Sequence, residues 1–320
     1  VAFLLPAGKL ADIYGRKKMY MWGLVLNAIA ALFSGVASDI DALLFWRFLQ
    51  GVAGAMIFGT GIAIVSSVVP AHRRGFALGV VASCVYIGLT LAPAVGGILT
   101  ELYGWRAVFY FQVPLVIGLV LFIKLALQGD WKQQDASRFD VKGSLLFILF
   151  SGFFVYGLSK PTEVFGVLSL ISSVLCLAVF VLHQSKSSKP LIRVQLFRES
   201  RLFSLSLTTS FFMYASNFAI LFLLSLFLQY ILEYSPADAG YILLAQPLAM
   251  ALLAPFAGRL ADKFEPRYVA TCGCLLVACG FVLLNQLHMH TSAEFVAMGL
   301  VLTGIGFGLF STPNNSAIMG

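Results

Sequence analysis

Ten long apolar runs occupy most of this chain, at 19–37, 42–69, 75–100, 107–127, 143–159, 164–182, 202–232, 239–257, 268–287 and 295–320, with a shorter run at 1–7 before them. Each comes close to the roughly 20 residues that cross a bilayer core. Lipid offers no hydrogen-bonding partners, so only helices and closed barrels satisfy their backbones there. The runs are much longer than barrel strands and lack alternation, so the expected fold is an all-α membrane protein. With 60% hydrophobic residues, 11% charged and a mean hydropathy of +0.92, a soluble domain or a disordered chain is excluded. The five cysteines lie in apolar runs without CxxC spacing and are expected to be small buried residues, not a redox or zinc site.

A net charge of +7 raises the question of nucleic acid, and the placement of the cations answers it. When the loops are assigned alternately to the two sides, all but Arg47, Arg106 and Lys160 of the 21 Lys and Arg fall on one side. The positive-inside rule makes that side cytoplasmic. The basic excess is therefore a topological signal, and no nucleic-acid partner is expected.

An internal repeat defines the organisation. Gly8-Lys9-Leu10-Ala11-Asp12 recurs as Gly258-Arg259-Leu260-Ala261-Asp262, each copy expected in a cytoplasmic loop that follows a span. Symmetry between halves is typical of secondary transporters. Eight complete runs separate the copies where two directly joined six-helix halves would give six, so runs 143–159 and 164–182 read as inserted. The expected domains are 1–128 (N-terminal half), 129–190 (two linker helices) and 191–320 (C-terminal half). The intact protein would then have fourteen spans, arranged as six, two and six. This chain is expected to lack the first span, the start of the second and the last two.

Several motifs carry a family resemblance. Gly8 to Asp12, continued by Ile13-Tyr14-Gly15-Arg16-Lys17-Lys18, resembles the cytoplasmic loop motif of the major facilitator superfamily. Phe45-Trp46-Arg47-Phe48-Leu49-Gln50-Gly51 is similar to its fourth-helix arginine motif, and Gly88 to Gly97, with Pro93, to its fifth-helix antiporter motif. Ala92 stands where the motif has glycine. Gly104-Trp105-Arg106, Gln112-Val113-Pro114 and Gly304-Ile305-Gly306-Phe307-Gly308 resemble the fourteen-helix drug/proton antiporter branch. The resemblance implies a pseudo-symmetric helical bundle in a bacterial cytoplasmic (inner) membrane. It also implies proton-coupled multidrug efflux, with a proton gradient and no cofactor. The alternatives are a same-fold carrier of a defined metabolite or siderophore, and a non-transporting sensor or membrane partner.

The residues suggest roles. Asp12 with Arg16 and Lys17, across a turn permitted by Gly8 and Gly15, reads as a conformational latch, and Asp262 as its second-half counterpart. Arg47 lies about 9 Å into its span at 1.5 Å per residue, and such a charge needs a cavity or a partner. The resemblance assigns it proton coupling. All 14 acids sit in loops or at span edges, so a deep proton-binding carboxylate is expected in the missing first span, with Glu101 and Glu233 as edge alternatives. Gly88, Pro93, Gly96 and Gly97 would allow a kink and close approach to another helix. Ser210, Tyr214, Asn217, Leu221 and Ser225 form a helical stripe read as a cavity wall. Gln50, Tyr86, Met213, Tyr214, Asn217 and Gln246 are the substrate-contact candidates, suited to a lipophilic or cationic compound. No metal site, nucleotide loop or catalytic constellation is expected, so the chain reads as a transporter and not an enzyme.

Overall fold

The computed structural model describes residues 1–127, 129–130, 139–187 and 190–319. Lys132, Asp135, Arg138 and Lys189, and the side chain of Pro93, lie outside the described residues. Thirteen α-helices are found among those described: α1 Leu4–Tyr14, α2 Arg16–Val36, α3 Ile40–Val68, α4 Arg74–Tyr103, α5 Arg106–Ala126, α6 Val141–Ser159, α7 Val164–Lys186, α8 Leu196–Glu199, α9 Arg201–Leu226, α10 Pro236–Leu243, α11 Ala245–Lys263, α12 Pro266–Leu284 and α13 Ala293–Met319. Ten helical segments are long and apolar enough to cross a membrane, one for each long apolar run. The chain is an all-helical, multi-pass membrane protein.

Three local differences from the sequence reading stand out. Both copies of the repeat lie within helices, the first in α1 and the second in α11, instead of in loops. The first connection shrinks to Gly15 alone, at φ 110°, a conformation that side chains disfavour; Gly8 is an ordinary helical residue. The eighth span is interrupted at Leu244, between α10 and α11, because Pro247 has no N–H to give to the carbonyl four residues earlier. None of the five cysteines is buried: Cys84, Cys272 and Cys279 are exposed and the other two intermediate. Outward-facing apolar residues need no burial in a span surrounded by lipid.

Contacts group the chain into two compact units, Val1–Ser67 with Gly96–Leu196, and Val68–Val95 with Phe197–Gly320. In the first unit, small residues bring helices close. A Cβ on Gly35 would strike the ring of Tyr110, and one on Gly157 would strike Leu170 and the carbonyl of Gly166. Helices α6 and α7 are tied at one end by a polar node. Asp140 caps α6 by accepting from Gly143 N (2.9 Å), and its two oxygens lie 3.0 and 3.1 Å from His183 Nε2. Gln184 Nε2 donates to the same carboxylate at 2.9 Å, while Gln184 Oε1 accepts from Leu191 N at 2.6 Å. The node thus fastens α6 and α7 to the segment that follows them.

The second unit is organised around α13. Gly273 and Gly306 let α12 and α13 meet backbone to backbone, and Gly304 does the same against Gln246 of α11. Met250, Ala254, Val277, Phe307 and Phe310 form one buried cluster, and Leu224, Leu228, Leu284, Val296 and Leu300 another. Beyond α9 the helix widens into a π-turn at Phe227–Ile231.

Burial raises the Asp140 pKa, but hydrogen bonds from Gly143, His183 and Gln184 outweigh it, and the carboxyl sits below its ordinary value. A depressed acid stabilises the fold fully above the ordinary carboxylate pKa and loses that contribution as pH falls through the lowered value. Asp140→Ala should therefore cost about 1–3 kcal/mol, the cost of leaving Gln184 and the α6 amide unpaired. Thermal unfolding in detergent would show a lower midpoint at pH 7 and a smaller difference from the parent in strong acid.

Candidate functional site

The polar cluster of the first repeat copy is built at the start of α2. Arg16 reaches back one turn to Asp12, with Nε at 3.2 Å and Nη2 at 3.1 Å from the same carboxylate oxygen. Its other nitrogen, Nη1, donates to Ser67 Oγ (2.7 Å) and to the Ala63 carbonyl (3.2 Å), which anchors the pair to the end of α3. Lys17 turns to a different partner, with its backbone N–H donating to Asp130 Oδ1 (3.1 Å) and its ammonium to the Leu127 carbonyl. The Asp130 carboxylate fills the space where a side chain at residue 15 would stand. This explains the glycine twice over, by its φ and by the carboxylate lying over it. Asp130 was not singled out in the sequence; its signal is an acid just past α5, whose partner is visible only once α2 and α5 pack.

The second copy shares Gly, Leu, Ala and Asp with the first, has Arg259 in place of Lys9, and adopts a different geometry. Asp262 makes no ion pair among the described residues and instead caps α4, accepting from Gly75 N at 2.8 Å and Phe76 N at 2.9 Å. The start of a helix carries partial positive charge, so a carboxylate there is favoured twice, by the hydrogen bonds and by the dipole. Arg259 lies 4.6 Å from the Phe76 ring centroid. The approach of α4 to α11 is backbone to backbone: a Cβ on Gly75 would meet the Gly258 carbonyl, and one on Gly79 the Ala254 carbonyl.

Gly75 and Gly79 carry the close approach of α4 to α11, and a Cβ built on Gly88, Gly96 or Gly97 meets nothing within 4 Å among the described residues. Helix α4 remains continuous through Pro93.

Arg47 donates to Gln50 Oε1 (2.7 Å), and Gln50 Nε2 donates to Gln112 Oε1 (3.1 Å), so α3 and α5 are joined by an arginine–amide–amide relay. The guanidinium also lies 5.8 Å from the Phe109 ring centroid. No acid among the described residues forms an ion pair with Arg47. Gln112 completes a chain that sequence spacing could not foresee.

The stripe on α9 is real, but it packs as a seam with α13. Asn217 accepts from Gln246 Nε2 (2.7 Å), which also reaches Thr303 Oγ1 (3.2 Å). One turn along, Tyr214 meets Phe307 edge to face with ring centroids 5.0 Å apart. Further along, Ser210 Oγ accepts from Asn314 Nδ2 at 2.7 Å, and Tyr86 of α4 lies 3.0 Å from Ser311 Oγ. Tyr86, Met213, Asn217 and Gln246 are buried by this packing, so they are not an open wall; Tyr214 keeps 39% exposure. A separate groove of about 300 Å³ between α2 and α5 is lined by aliphatic residues such as Val25, Leu32, Val113 and Val120, and touches none of these candidates.

The sequence model of the Major Facilitator Superfamily matches residues 1–320. The multidrug resistance protein Stp of Mycobacterium tuberculosis (strain CDC 1551 / Oshkosh) is 31% identical over 323 aligned residues, covering 99% of this chain and 60% of that protein. The riboflavin transporter RibZ of Clostridioides difficile (strain 630) is 30% identical over 319 residues, covering 99% of this chain and 69% of RibZ. The crystal structure of the human organic anion transporter MFSD10 (TETRAN) shares the fold, with a TM-score of 0.67 at 17% identity over 99% of this chain and 66% of that one. The chain thus spans 60% of the length of Stp.

Gly15→Ala should cost about 1–3 kcal/mol for the strained backbone alone, and more for displacing Asp130. In an Asp130→Ala background the same change should cost less. A double-mutant cycle on thermal stability reads this coupling, and strict additivity would contradict the proposed packing.

Proposed function

The chain belongs to the major facilitator superfamily, and on that premise we propose that it is a proton-coupled antiporter that exports lipophilic or cationic compounds by alternating access. The observation that carries this reading is the Arg47–Gln50–Gln112 relay, a permanent cation inside a span with no acid partner among the described residues. Such a charge is retained at a cost and marks an ion or substrate pathway by default. In this reading Arg47 couples proton movement to cargo.

The two inserted helices α6 and α7 support placement in the fourteen-helix drug/proton antiporter branch, in a bacterial cytoplasmic membrane. Relatives named for multidrug resistance, among them Stp, support drugs as cargo. The latch role belongs to Gly8, Asp12, Gly15, Arg16, Lys17 and Asp262: a carboxylate that caps a helix can be released as a unit when that helix moves away. Gly88, Pro93, Gly96 and Gly97 supply the antiporter motif, and the open space beside the three glycines leaves room for movement of α4. Of the substrate-contact candidates in the second unit Tyr214 is accessible and Tyr86, Met213, Asn217 and Gln246 are buried, while Gln50 is the candidate of the first unit.

A second reading, a carrier of one defined metabolite, is favoured by RibZ, whose name is that of a riboflavin transporter. The third, a sensor without a transport cycle, would show no solute flux at all.

The test uses the full-length protein in inside-out vesicles with an imposed pH gradient. Ethidium should drive proton release, and Arg47→Ala should lower that release about 10- to 100-fold, the equivalent of the ~1.5–3 kcal/mol of a hydrogen bond to a charged group. Release from riboflavin and from no organic cation would support the metabolite carrier. Silence with every compound would leave the sensor.

A further inference from the structure

Among the described residues the second unit holds two buried polar side-chain atoms without a partner, Thr312 Oγ1 and Gln246 Oε1, and of these Gln246 Oε1 can only accept. Gln246 is fully buried, and both hydrogens of its carboxamide are spent, one on Asn217 Oδ1 at 2.7 Å and the other on Thr303 Oγ1 at 3.2 Å. The Thr303 hydroxyl gives its own proton to the Leu300 carbonyl at 2.9 Å, so it can only accept from Gln246. In this arrangement Asn217 Oδ1 and Thr303 Oγ1 are the two acceptors that the Gln246 amide serves. Oε1 is then an acceptor without a donor. A buried acceptor left unmade is costly, and a fully packed seam retains one only where something else supplies the donor.

The surroundings indicate what that is. Three helices, α9, α11 and α13, converge on this carboxamide, and Gln246 lies two residues past the interruption at Leu244. Transporter solute sites commonly lie where a spanning helix is discontinuous, and here Pro247 removes one rung of the ladder beside Gln246 while the backbone stays helical at Leu244. One turn from Asn217 stands Tyr214, 39% exposed and held edge to face by Phe307, so an accessible aromatic surface adjoins the hidden acceptor. The charged residues of the unit lie at helix ends and in connections, leaving dipoles and ring faces to recognise a solute within the seam. We propose that Gln246 is a specificity-determining residue for cargo: its Oε1 accepts from an N–H or O–H on the edge of an aromatic compound whose ring lies against Tyr214. This rests on the transport reading and narrows it, since lipophilic charge alone would not satisfy the site.

Two matched pairs of compounds test the proposal with the full-length protein in lipid nanodiscs. Ethidium, which has ring amino groups, is compared with its fully N-methylated form, and riboflavin, which has a ring imide N–H, with its N3-methyl form. In the parent protein the donor-bearing member of whichever pair binds should bind about tenfold more tightly. Gln246→Met should remove that preference, with the thermal-unfolding midpoint of the variant measured alongside to show that it is folded. Equal affinities within both pairs in the parent protein would overturn the proposal and leave transport intact. So would a Gln246→Met protein that keeps the preference. Binding of none of the four compounds would overturn the proposal, while the transport reading is judged separately by the vesicle flux. Because the parent comparison needs no substitution, the test stands even if Gln246→Met fails to fold.

Discussion

Backbone amides at the start of a membrane helix have no partner within their own ladder, and only water or a fixed side chain at the membrane face can satisfy them. In this protein the answer is repeatedly a carboxylate. Asp130 accepts from the first turn of α2, Asp140 from that of α6 and Asp262 from that of α4. Each acid comes from outside the helix body it caps, and Asp130 and Asp262 come from distant sequence. These bonds therefore fasten one helix to another as well as ending a helix. A structure stitched at helix starts in this way is firm while capped and has an obvious place to come apart.

The glycines complete the same logic. Gly75 and Gly258 let α4 and α11 approach until a carboxylate on one reaches the amides of the other. Without that approach Asp262 would have no helix start within reach. Around α13, Gly273, Gly304 and Gly306 permit the contacts that bury the Asn217–Gln246–Thr303 group, so an uncharged polar seam exists only because backbones touch. Packing without bulk thus creates both the latch geometry and the amide site. The proposed transport cycle uses the first to switch and the second to recognise.

The helices were legible in the sequence because lipid leaves one solution for a twenty-residue apolar run, and each of the ten runs became a helix. The polar stripe of Ser210, Tyr214 and Asn217 was legible as a period, but its partner was not, since nothing local says that Thr303, Phe307 and Asn314 will face it. The two repeat copies show the limit most clearly. Asp12 and Asp262 share a motif, yet one pairs with its own Arg16 and the other with the amides of Gly75 and Phe76, because Glu265 and Pro266 replace the glycine and arginine that complete the first copy. Side-chain pairing across helices is a property of the packed unit, and Asp130 and Gln112 entered the site only through it.

The central claim is that the carboxylate cap on α4 is a two-state element, and amide hydrogen exchange at Gly75 and Phe76 reports on it directly. In the full-length protein in lipid nanodiscs these amides should be protected at rest and should gain a faster-exchanging population when saturating ethidium is added. Asp262→Asn should favour the fast population even without cargo. A single protected population that neither the cargo nor the substitution moves would show a static cap and contradict the account.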